Sequence, residues 1–91
     1  MTELSSYIVL QRRAAELVVT TQFGSGLQLQ RELGVSRMVS FALILDLEEQ
    51  GIVGRVPDVG KARQVLIPFP GVEQLRDLID RVFPLPEQVD E

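Results

Sequence analysis

The side chains with most to offer chemically are five cations, Arg31, Arg37, Arg55, Lys61 and Arg63, set near the hydroxyl and amide groups of Ser25, Gln28 and Ser36. Guanidinium and ammonium groups neutralise phosphate, and hydroxyls and amides bond phosphate oxygens, so this set suits a nucleic-acid backbone. Carboxylates are the other candidates. Glu48 and Glu49 are neighbours on a predicted helix and point in different directions, and Asp77 and Asp80 sit on a solvated face. Neither pair combines the pocket, partner and spacing that general acid–base chemistry needs. The sequence contains no Cys and no His, which removes Cys/His zinc sites, thiol redox chemistry and histidine catalysis. We therefore expect a non-enzymatic protein with no catalytic residue, no metal site and no cofactor.

A chain of 91 residues has room for one core, and 45% hydrophobic with 24% charged residues is globular composition. Its net charge of −4 is unevenly placed. Residues 1–69 balance their acids and bases, so the whole excess falls in residues 70–91, where Arg76 and Arg81 face six carboxylates. An acidic total disfavours nucleic acid as a partner, yet a neutral body can bind it if the cations share a face. There is no apolar run of the ~20 residues a bilayer requires and no signal-like N-terminus, so a cytoplasmic protein without membrane contact is expected.

The elements that must position these groups follow from periodicity and caps. Leu10, Ala14, Leu17, Val18 and Thr21 form a 3.6-residue stripe over 7–21, entered from Ser5 or Ser6. Ser25 with Gln28 has capping-box spacing and opens a short helix from Gly26 to Leu33. Gly34 suits a left-handed C-cap, and Ser36 is an N-cap for a third helix that reaches Gln50, with Ser40, Leu43, Ile44 and Leu47 inward. Asp46, Glu48, Glu49 and Gln50 are expected to face water. The runs 52–56 and 64–67, joined through Pro57, Asp58 and Gly60, read as a β-hairpin. A final amphipathic helix over 71–83 precedes Pro84 and Pro86.

This order is that of a winged helix-turn-helix: an α+β fold, mainly α, with a β-hairpin wing over 55–63, a recognition helix over about 36–50, and an extra C-terminal amphipathic helix. Residues 1–69 are the expected winged domain. Residues 70–91 are the helix and acidic tail, packed on the same domain or used for dimerisation.

Ala14, Glu16 to Val19, Thr21, Ser25, Leu29-Gln30-Arg31, Leu33, Ile44, Leu47-Glu48-Glu49, Gly51 to Gly54, Lys61, Arg63, Val65 and Leu66 carry a resemblance. Over Ala14–Leu66 the chain resembles the C-terminal gamma domain of FtsK/SpoIIIE DNA translocases. The resemblance implies a winged helix that recognises short oriented sequences in double-stranded DNA. That family's recognition helix opens Gly-Tyr-Asn-Arg-Ala-Ala-Arg, and its Asn and Arg side chains read bases. Here the stretch is Ser36-Arg37-Met38-Val39-Ser40-Phe41-Ala42, and the next outward position is Leu45. Apolar side chains offer only contact with thymine methyls.

Two functions follow. One is double-stranded DNA binding by Ser25, Gln28, Arg31, Ser36, Arg37 and Met38, with Arg55, Lys61 and Arg63 in the wing. The other is a protein-interaction or dimerisation module, with Phe41 and Leu45 on the third helix and Val72, Leu75, Ile79 and Val82 as a helical seam to a second copy or a partner protein. The face of Met38, Val39, Phe41, Ala42 and Leu45 could also be core, covered by the C-terminal helix.

Overall fold

The computed structural model describes residues 3–55 and 62–86. Four helices make it: α1 (Glu3–Thr21), α2 (Gly26–Leu33), α3 (Arg37–Glu49) and α4 (Val72–Val82). α1 begins a turn before the predicted start, so Ser5 and Ser6 lie within the helix rather than capping it.

The α2–α3 corner forms as its residues dictate. Ser25 is extended (φ −113°, ψ 129°) and its Oγ accepts from the Gln28 N–H at 3.3 Å. Gly34 takes φ 66°, ψ 36°, a left-handed conformation that glycine adopts without Cβ strain, and its N–H donates to the Gln30 carbonyl at 3.0 Å. Ser36 then turns the chain, its Oγ accepting from the Val39 N–H at 3.1 Å. The two serines bond N–H groups that a helix start otherwise leaves open, and Gly34 bonds a carbonyl that a helix end leaves open.

The predicted fold class is corrected: among the described residues the regular elements are the four helices and there is no strand, so they are all-α rather than α+β and show no β-hairpin wing. Where the hairpin was expected there are two isolated antiparallel bridges, Val53 with Val65 and Gly24 with Arg63. The physical reason lies in what each segment meets. The two runs share only a short pairing, in which the Gly54 N–H donates to the Gln64 carbonyl and the Leu66 N–H to the Ile52 carbonyl, both at 2.8 Å. Ile52 and Val53 are otherwise buried in the helical core, and Arg63 donates its backbone N–H to the Gly24 carbonyl at 2.9 Å. Pro68 and Pro70, which lack an N–H, follow shortly after. The expected turn at Pro57–Lys61 lies outside the described residues.

The core joins Ala14, Ala15, Val18 and Val19 of α1 to Leu29 of α2, Leu43, Ile44 and Leu47 of α3, and Leu75, Leu78 and Ile79 of α4. α1 is the hub, touching each of the other three helices, whereas α4 meets α1 and neither α2 nor α3. Arg12 fastens that contact: its guanidinium lies 2.6 Å from Asp80 and donates to the Phe83 carbonyl at 2.8 Å. No described helix is long and apolar enough to cross a membrane.

A second tie joins α1 to α3. Asp46, expected to face water, is partly buried and accepts from the Tyr7 hydroxyl and from the Gln11 amide, the latter at 2.9 Å. Burial, then the hydrogen bond and charge of Asp46, raise the Tyr7 phenol above the usual tyrosine range. The folded state thus holds the proton that the unfolded chain releases near pH 10, so Tyr7 contributes stability below that pH and the contribution is lost as pH rises further. Tyr7 is the one tyrosine in the sequence, so tyrosinate absorbance reads it directly. The absorbance is expected to rise together with alkaline unfolding. Titration of the intact fold at the free-tyrosine value would refute the buried bond.

Candidate interaction face on the third helix

One face of α3 looks inward through Ser40, Leu43, Ile44 and Leu47; the opposite face meets solvent. Met38 is 84% exposed, Phe41 59% and Leu45 42%. With Leu27 of α2, also exposed, they border a groove of about 780 Å³ whose floor includes Ser40 and Ile44. Because α4 lies on α1, it does not cover this face. The expectation that the C-terminal helix seals these side chains is therefore corrected, except that Val39 packs against the core and Ala42 is half-buried.

Ser40 lines the groove and is, among the described residues, the one polar side chain in the buried set, its hydroxyl donating to the Arg37 carbonyl at 2.9 Å. That bond satisfies the hydroxyl locally, and the other polar residues that line the groove are Ser25, Gln30, Arg37 and Arg63. Arg37 is exposed at the N-terminal end of the apolar stripe, and Glu49 is exposed at its C-terminal end.

The structure divides the cations and polar groups expected to meet phosphate. Arg31, Arg37 and Arg55 are exposed, Arg55 with its Nε 3.7 Å from a Glu48 oxygen. Arg63 is turned inward: its Nη1 lies 2.5 Å from the Glu48 Oε1 and 3.2 Å from the Gly54 carbonyl, and its side chain is 9% exposed. A guanidinium held this way is neutralised by its own chain and is not presented to phosphate. Lys61 lies outside the described residues. Ser25 and Ser36 use their hydroxyl oxygens as caps, and the Gln28 amide donates to Thr21 at 3.5 Å. The two serine oxygens are thus engaged in building the corner, while the Gln28 Oε1 is buried without a hydrogen-bond partner among the described residues.

The expected α4 seam is corrected too. Leu75 and Ile79 are buried against their own subunit and Val82 is half-buried, leaving Val72 exposed. The stripe that suggested a partner is the surface with which α4 docks on α1. Sequence reasoning missed Leu27, whose signal was its place outside the inward Leu29–Leu33 pair. It also missed Val9, Phe69 and Leu85, exposed with Val72 around a second groove of about 590 Å³ between α1 and α4.

No protein-family profile matches the sequence, and no characterised protein or solved structure shows significant similarity to it. What bears on function is the site itself.

Proposed function

We propose that the chain is a non-catalytic interaction module that docks another protein chain through the outer face of α3. The observation that carries this reading is the joint exposure of Met38, Phe41 and Leu45 along one helix face, with Leu27 beside them. Contiguous apolar surface of this kind is removed from water by association, and Met and Phe are enriched at protein interfaces. The electrostatics agree: Arg63 is neutralised by Glu48, and the chain as a whole carries −4.

A photoreactive residue placed at Phe41, and separately at Val72, tests this in cells producing the chain. Position 41 is expected to yield a discrete protein adduct that survives nuclease treatment, with position 72 yielding none of the same mass. A nuclease-sensitive adduct at position 41, or no adduct, overturns the reading.

Double-stranded DNA is the second reading, favoured by a specific observation: the capped α2–α3 corner leaves Arg31 and Arg37 exposed beside the outward face of α3, the disposition of a helix-turn-helix. It predicts steeply salt-dependent binding to duplex. On the protein-docking reading, titration with duplex DNA gives no affinity tighter than about 10⁻⁴ M at physiological salt, the weak end of non-specific binding.

A further inference from the structure

Resting on the reading of α3 as a docking face, we propose that its occupant is a second copy of this chain, packed antiparallel across a two-fold axis that crosses the outer face midway between Phe41 and Leu45. The order of side chains along the exposed stripe points to this occupant. Arg37, Phe41, Leu45 and Glu49 recur every four residues, forming one continuous ridge that is cationic at its start, apolar in the middle and anionic at its end. Ridges of this spacing interdigitate when two helices pack.

A two-fold axis through the middle of the ridge makes that pattern complementary to itself. Arg37 of one copy then faces Glu49 of the other, about 18 Å from its own Glu49 at the helical rise, and Phe41 faces Leu45. The helix dipoles agree, since each positive N-terminus lies beside the partner's negative C-terminus. A parallel arrangement would instead set Arg37 against Arg37 and Glu49 against Glu49. Glu48 does not disturb the pattern, because it pairs with Arg63 of its own chain. Leu27 and Met38 flank the ridge and widen the apolar contact on each side.

Two features of the monomer make the charges a clean probe. Arg37 begins α3 and Glu49 ends it, so each stands at the helix end where its sign is the less favourable one. Arg37→Glu and Glu49→Arg therefore favour the isolated helix, and any loss of association on either change cannot be attributed to unfolding.

Sedimentation equilibrium of the full chain, with far-ultraviolet circular dichroism to verify folding, tests the proposal. The wild type is expected to dimerise. Phe41→Glu should weaken the dimer on the order of a hundredfold, the scale of a central interface residue. Arg37→Glu and Glu49→Arg should each weaken it about tenfold by turning attractive pairs repulsive, and the double exchange should restore it. Val72→Glu, on the far groove, should leave it unchanged. A wild-type monomer overturns the second copy as occupant; a nuclease-resistant adduct at position 41 to a different protein would then leave the docking reading standing. A dimer indifferent to Phe41→Glu overturns this use of α3. Failure of the double exchange to restore what the single ones remove overturns the antiparallel arrangement.

Discussion

Leu29→Ala is expected to lower the free energy of unfolding by about 3 kcal/mol, measured as a fall in the denaturant midpoint at unchanged slope. α2 is eight residues long, too short to persist as an isolated helix in water, so tertiary burial must hold it. Leu29 is its one buried residue and is completely inaccessible, within the core that α1 and α3 share. Removing its branched carbons loses their transfer from water and leaves a cavity that the neighbouring helices close only in part. A chain of this size has a stability of roughly 5–14 kcal/mol, so the change removes a substantial share of it. Leu27→Ala, two residues away and exposed, is expected to shift stability by less than about 0.5 kcal/mol. Equal losses at the two positions would mean that α2 does not dock as described. The contrast also separates fold from function, because Leu27 borders the α3 groove while Leu29 holds the helix that presents it.

The parts of this fold that sequence reasoning recovered are those whose causes are local. Ser25, Gly34 and Ser36 are each required by the backbone conformation or cap at their own position, and all three do what their chemistry suggests. The inward stripe Ser40, Leu43, Ile44 and Leu47 was likewise readable, because a helix with one buried face repeats at a fixed interval. α1 shows where that reasoning weakens. It packs against three helices, so Ala15 and Val19 join Ala14 and Val18 in the core, and Thr21, expected inward, is exposed.

The failures share a cause of longer range. Ile52 and Val53 belong to a β-rich run, but how far such a run pairs depends on what lies across from it: here it fills the helical core and makes one bridge, Val53 with Val65, rather than a strand. The stripe on α4 announced an apolar partner without saying which; the answer was α1, fixed in place by Arg12 and Asp80 from distant parts of the chain. Of the candidate site, the apolar outward positions of α3 could be read, since they follow from the same periodicity that defines its inward face. The neutralisation of Arg63 could not, because nothing in a charge count indicates that Glu48 sits beneath it.

That last pair sets up the second large effect: Glu48→Gln is expected to cost about 2 kcal/mol of stability. Arg63 is 9% exposed at its side chain and Glu48 29%, so the cation is nearly buried and its counter-ion is partly solvated. Removing one partner of a fully buried pair costs about 3–5 kcal/mol because a charge is left without compensation. The partial exposure of Glu48 and the Gly54 carbonyl, which still accepts from Arg63, reduce that figure here. Thermal or denaturant unfolding reads the loss directly. The paired replacement Glu48→Leu with Arg63→Met should recover most of it, since apolar side chains of similar volume replace an ion pair without a desolvation penalty. A loss below about 0.5 kcal/mol for Glu48→Gln would place the pair among solvated surface contacts and return Arg63 to the set of accessible cations. The same measurement therefore bears on function: it decides whether Arg63 holds its segment against α3 through Glu48 or is available to an external anion.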